Sequence, residues 1–473
     1  MPLLTPPRYQ RFALLGLLVA GAAGLVEATQ ESSANGLRAF LAAALGWAVV
    51  GLALSLPGLT VRGLLLGGFF VGAGILSWSF SESPGVVWGF LVVEGAVFAT
   101  WTFPWLRDLA KLPKLGGAWL GLAYWFLGTL GALLNHPLVS VQRIVYGGLF
   151  TLGALAVLSV IRRTRTDPTP AIAAAFLLAL GVLLLVGSGN ALDDVHAVPG
   201  TAWGNNMAQR FWGGPFFLYH PNSIALISVL VALRIAPDRA FAVWQRAGVL
   251  GTSFLMLLLV TSRTAWGFAV AAALVHAWLV FRKRVDHAGS GRRAVVTVLV
   301  PFVLLVALMI GSGGPQWLVY NRYPNSSAGS DLTSGRTQTW KKVIEDFKGD
   351  TIAEKLFGNG DDARGTVTRA DSVEDPNTTP PKLTTDNAFF GALRRGGMAG
   401  VAAFLLGLVL VLRRALSRDA APWFTITAVA ALPTIATSDW VLGGTGGTLW
   451  ILLLAAEAWQ VYRPTDEDAP VTG

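Results

Sequence analysis

The chain has 473 residues, of which 53% are hydrophobic and 13% charged, with a net charge of +9 and no cysteine. So apolar a composition excludes an ordinary soluble globular protein, and the missing cysteines exclude disulfides, thiol chemistry and cysteine metal sites. The basic excess is scattered over short loops and never forms a patch interleaved with aromatics, so it gives no reason to expect nucleic acid as a partner.

Apolar runs long enough to cross a hydrocarbon core of ~30 Å as helices occur at 12–28, 39–56, 63–80, 85–106, 116–134, 140–161, 170–188, 216–233, 247–261, 264–281, 294–312, 388–412, 421–437 and 447–462. They predict an all-α polytopic membrane protein, a helical bundle of about 12–14 transmembrane helices with one large outer loop. Period-two alternation does not recur, which argues against a barrel. Small residues in AGAAGL give the first run the look of a cleaved signal, but the thirteen runs after it favour a retained helix. The organisation is then eleven spans in 1–312, an extracytoplasmic loop at 313–386, three spans in 387–462 and a cytoplasmic tail at 463–473. No internal repeat is visible, which weakens an inverted-repeat transporter reading.

Lys and Arg beside short loops stay in the cytoplasm. With the N-terminus inside, Arg11, Lys111, Arg162, Arg234, Arg282 and Arg413 all fall on the cytoplasmic side and the alternation holds throughout. Arg38, Arg143, Arg210, Arg263, Arg394 and Arg395 break the pattern by falling at the outer face. An arginine kept where topology disfavours it has an anion to meet; the ordinary alternative is snorkelling to headgroups, or pairing with an outer carboxylate such as Asp193, Asp194 or Asp439. Arg263 stands out because LVTSRTAWGFAV, residues 259–270, and its surroundings hold no acidic residue within ten positions of it.

Within the outer loop, SGRTQTWKKVIEDFKGDTIAEKLFG (334–358) spaces Trp340, Val343, Ile344, Phe347, Ile352 and Leu356 as a helix would, with an interruption at Gly349. An amphipathic helix on the membrane face is the expectation, ended by LFGNGDD (356–362), whose glycines allow positive φ. From Thr366 to Thr385 the apolar content is too low to fold alone, so mobility is expected there unless a ligand orders it.

Other residues have both a bland and a sharper reading. His220, at the outer end of its span, could meet substrate or satisfy a buried acceptor. Asp193, Asp194 and His196 share a loop that could hold a divalent ion, although adjacent carboxylates on a polar loop are ordinarily solvated. Glu94, in an apolar span, could relay protons or pair with Arg38 or Arg143. GGTGGT (443–448) lacks the strand and lysine of a phosphate-binding loop. The eighteen tryptophans suit interfacial anchoring, and Trp203, Trp212, Trp266 and Trp340 could also stack on sugars.

Four stretches occur in order: FFLYHPNSIA (216–225), LLVTSRTAWG (258–267), SGRTQTW (334–340) and TTDNAFFGALRRGG (384–397). With FGNG between the last two, they resemble the O-antigen ligase and polymerase family of lipid-linked glycan transferases. The resemblance implies a GT-C-type membrane glycosyltransferase of the bacterial cytoplasmic membrane, with its site on the extracytoplasmic face. Its donor would be an undecaprenyl-diphosphate-linked glycan and its acceptor a glycan or a lipid, with membrane lipids around it and no metal or cofactor. Carried over by motif, Arg263 and Arg336 would hold the diphosphate, with Arg210 a third ligand. His220, Asn222, Ser262, Asn387, Arg394 and Arg395 would line the substrate site. Where ligases of the family carry a histidine before the asparagine of the last piece, this chain has Asp386. A carboxylate there could take the acceptor proton, or simply cap the following helix. The substitution inclines the reading to polymerisation of repeat units, with a chain-length regulator as a further partner. Ligation to a lipid or protein acceptor is the sister reading, and transport of an anionic lipid-linked sugar is the reading from another class.

Overall fold

The computed structural model describes residues 6–30, 33–56, helical turns within 92–100, 123–134 and 151–162, residues 165–186, most of 221–285, 336–358, 366–368 and 382–384, most of 387–436, and 444–462. The predicted spans at 63–80 and 294–312 lie outside the described residues. So do Glu94, Arg143, Asp193, Asp194, His196, Trp203, Trp212, Arg210, His220 and Asp386.

Helices form at Pro6–Gln30 (α1), Ser33–Ser55 (α2), Thr169–Val186 (α3), Pro221–Ile235 (α4), Val243–Val260 (α5) and Arg263–Val285 (α6), each over or close to a predicted apolar run. Beyond the loop come Ala388–Ala415 (α9), Pro422–Ala431 (α10), a 3-10 turn at Leu432–Ala436 and Gly444–Tyr462 (α11). Between the two groups lie α7 (Arg336–Gly349) and α8 (Ile352–Phe357). Among the described residues, Arg11–Gln30, α5 and α9 are long and apolar enough to cross a membrane, and shorter apolar helices accompany them. The protein is an all-α polytopic membrane protein, as the composition demands.

Without water to drive helices together, membrane helices associate through close backbone approach at small residues. The α2–α3 crossing shows this: a Cβ placed on Gly46 would lie 2.7 Å from the Gly181 carbonyl oxygen, and one on Gly181 would lie 2.8 Å from that of Gly46. Between α1 and α2, the Trp47 ring stacks on Phe12 at 4.6 Å and its Nε1–H donates to the Phe12 carbonyl at 2.7 Å. The Leu14, Leu17 and Leu18 side chains of α1 point outward, as a helix facing hydrocarbon requires. The central core is carried by Phe176, Ile224, Phe268, Phe404, Phe424 and Trp450.

At one end of the bundle a buried arginine ties three helices together. Arg234, on the last turn of α4, donates from Nε to Thr169 Oγ1 at 2.7 Å, from Nη1 to Asp238 at 2.9 Å and from Nη2 to Asp167 at 2.9 Å. Its guanidinium carbon also lies 4.8 Å from the centre of the Trp423 ring on α10. Asp167 in turn accepts from the Thr169 backbone N–H at 2.9 Å and its hydroxyl at 2.6 Å, closing the start of α3.

One expectation fails in part. The Thr366–Thr385 stretch is not wholly without structure, because Thr366–Thr368 (β1) pairs antiparallel with Lys382–Thr384 (β2), in register Thr366 to Thr384 and Val367 to Leu383. The β-branched threonines and valine favour extended backbone, and mutual pairing satisfies backbone groups that neither end could satisfy alone.

Candidate functional site

The sequence-predicted residues that are described stand near helix starts: Asn222 in α4, Ser262 and Arg263 at α6, Arg336 at α7, and Asn387, Arg394 and Arg395 in the first part of α9, against which α7 packs. Ser262 is fully buried, and its hydroxyl accepts from the Ala265 N–H at 3.4 Å while its carbonyl accepts from Trp266. It therefore occupies the N-cap position of α6, with Arg263 as the first helical residue. A helix N-terminus carries partial positive charge, so the serine that ends the α5–α6 turn and the arginine beside it sit where an anion is favoured. Arg336 is likewise the first residue of α7, and Asn222 is the second of α4.

The cap of α9 is Asn387, not Asp386. The Asn387 side chain accepts from the Phe389 N–H at 2.9 Å and the Phe390 N–H at 3.1 Å, and the residue is 7% exposed. Such a cap contributes about 1 kcal/mol.

The amphipathic loop helix forms as predicted, with its break at Gly349, and part of its apolar stripe packs on protein. Trp340 stacks on Phe390 of α9 at 5.7 Å, Val343 is buried in the core and Phe347 packs against it. An aromatic pair of this kind contributes roughly 0.5–1.5 kcal/mol beyond its buried area. Ile344, Ile352 and Leu356 stay exposed. An ion pair adds to the docking, Arg394 Nη1 standing 3.3 Å from Asp346 Oδ2. Thr351 and Glu354 form a capping box at the start of α8.

Beyond α8 the chain turns sharply at Gly358, with φ +78°, and meets a kink in α9 at Gly397, with φ +61° and ψ −159°. The short segment Ala388–Gly396 is thereby set at its own angle to the rest of α9. It carries Arg394, and Arg395, which is only 1% exposed. Nearby, burial pushes the Asp350 carboxyl above the usual range, and Glu354 and Asp346 push the same way against Arg394 and Lys355.

Sequence reasoning singled out both arginines but missed what holds them: Asp346 and the Gly358–Gly397 contact. The signal was present in FGNG and RRGG, two glycine pairs in motifs already quoted, but no local pattern says that they touch.

Residues 248–405 match the family model described as O-antigen ligase. Over that segment, less than half of the chain, the sequence is similar to the O-antigen ligase family. The match supports an O-antigen ligase-type function in glycan transfer and polysaccharide biosynthesis. It takes in Ser262, Arg263, α7, α8, Asn387 and the kink of α9, whereas FFLYHPNSIA and Arg210 precede it. No curated protein matches the chain.

Proposed function

We propose that the protein is a metal-independent membrane glycosyltransferase. Its donor is an undecaprenyl-diphosphate-linked glycan on the extracytoplasmic face of the bacterial cytoplasmic membrane, and its product is a lengthened surface polysaccharide. The observation that carries this reading is that the O-antigen ligase segment, 248–405, contains the SR, SGR and RRGG pieces in order. The packing of α7 on the start of α9 supports it by joining two of those pieces.

The chemistry follows from the charge that develops. The acceptor hydroxyl oxygen bonds to the anomeric carbon as the bond from that carbon to the pyrophosphate oxygen breaks. The pyrophosphate leaves with the electron pair, and the hydroxyl proton passes to a base. Fixed guanidinium groups in a partly dry site favour the departing anion more than the ground state, and arginine matches phosphate oxygens with a planar fork. In this reading Arg263 and Arg336, with Arg210, hold the pyrophosphate. Asn222, His220, Ser262, Asn387, Arg394 and Arg395 shape the substrate site, and Asp386 accepts the proton.

Asp386, in place of the family's histidine, is the reason to favour polymerisation. The family description itself favours a second reading, transfer of one glycan to a lipid or protein acceptor. Incubating the purified protein with a lipid-linked repeat unit and resolving the products on a gel separates the two. A ladder means polymerase and a single shifted species means ligase. Unchanged donor removes glycan transfer and returns the problem to transport.

A further inference from the structure

We propose that Gly358 of the FGNG piece and Gly397 of the RRGG piece form a rigid joint that positions Arg394 and Arg395 for the donor pyrophosphate; the proposal deepens the glycan-transfer reading and rests on it. Both glycines have positive φ with ψ near 180° (Gly358 +78°, +167°; Gly397 +61°, −159°), a region that side chains with a Cβ essentially never adopt.

The two glycines face each other backbone to backbone. A Cβ on Gly397 would lie 2.5 Å from the Leu356 carbonyl and 2.6 Å from the Gly358 nitrogen, while one on Gly358 would run into the Arg395 carbonyl and lie 2.7 Å from the Gly396 nitrogen. Gly131, from a helix elsewhere in the chain, closes the third side: a Cβ there would run into the Phe357 carbonyl and lie 3.0 Å from that of Arg395.

The placement gives the joint its function. Gly397 follows the two arginines by two residues and lets Ala388–Gly396 depart from the axis of the membrane helix. The direction of Arg394 and Arg395 is therefore set by the loop that grips them. Asn387 holds the other end of that segment, and Asp346 holds Arg394 from the loop side. Loop and arginines are thus one body, and an error of about 1 Å in such a body is enough to spoil alignment with a transferring group.

The test measures the affinity for undecaprenyl diphosphate, per folded molecule, in G358A and G397A, with G349A as control, since a Cβ on Gly349 meets nothing within 4 Å. Binding weakened tenfold or more in the first two and unchanged in the control is the expected result. Unchanged affinity in folded G358A and G397A overturns the proposal. Hydrogen exchange on the wild-type protein decides the matter if the variants do not fold. Peptides 352–358 and 394–400 should exchange slowly and as a unit, and D346N should speed both together. Exchange of 352–358 within seconds while 394–400 stays protected overturns the joint. A wild-type protein that does not bind undecaprenyl diphosphate refutes the glycan-transfer reading, while the exchange pattern still reports on the joint.

Discussion

Arg234 and Arg394 are the same residue type near helix ends of one bundle, yet they are held in different ways. Arg234 spends Nε, Nη1 and Nη2 on bonds of 2.7–2.9 Å to Thr169, Asp238 and Asp167, with Trp423 against its face. A guanidinium so occupied, beside two carboxylates, has no attraction left for a phosphate. Arg394 meets Asp346 at 3.3 Å and is followed directly by a second, buried arginine. The difference teaches that the number of arginines does not locate an anion site; the groups that hold each guanidinium have to be read as well.

The largest effect should come from Arg263. R263A should lower glycan product by roughly 10²–10³-fold or more with the protein still in the membrane, as loss of one fixed donor to a developing anion does, and R263K should recover only part of it. Initial rates on a lipid-linked donor check both, and a wild-type rate in R263A would erase the contrast with Arg234. D386N should slow turnover by about 10²-fold with little change in binding of the carrier, if the carboxylate is the base.

R234A belongs to the other side of the comparison. Removing one partner of a buried ion pair costs about 3–5 kcal/mol because the remaining charges stay uncompensated; the partial exposure of Asp238 favours the lower end. Melting temperature in detergent should fall while the rate per folded molecule holds. A selective loss of rate would move Arg234 out of the structural class. The weaker pair is broken by D346N, with an expected loss of stability no greater than about 1 kcal/mol, measured in the same melts.

How much of this could be read in the sequence depends on distance along the chain. The apolar helices, the loop helix with its break at Gly349 and the positive φ at Gly358 were legible because periodicity and glycine act locally. Asp386 and Asn387 both suit an N-cap, so the sequence left the choice open; backbone geometry decides for Asn387. Arg234 read as an ordinary cytoplasmic-loop residue because its partners Thr169 and Asp167 lie 65 and 67 residues back. Gly358 and Gly397 were each noticed in a motif, yet only tertiary packing brings them together.

The smallest effect sharpens the outer side of the contrast by testing its local charge. Asp350 has its carboxyl raised first by burial and next by Glu354, with Asp346 adding to the rise and Arg394 and Lys355 opposing it. A carboxyl whose folded pKa exceeds its unfolded value binds its proton more tightly in the folded protein. Stability therefore declines as pH climbs from the unfolded value of 3.8 through the higher folded one, and the full penalty persists at neutral pH. D350N removes that penalty, so it should stabilise the protein slightly at pH 7, by no more than about 0.5 kcal/mol given solvent screening, and should have no such advantage below the unfolded pKa. Paired melts of wild type and D350N at pH 7 and under acid conditions check the sign. A variant less stable than wild type at pH 7 would mean that the Asp350 charge serves Arg394 as a second counter-ion, and the Arg394 end would then resemble the Arg234 end more closely than its geometry indicates.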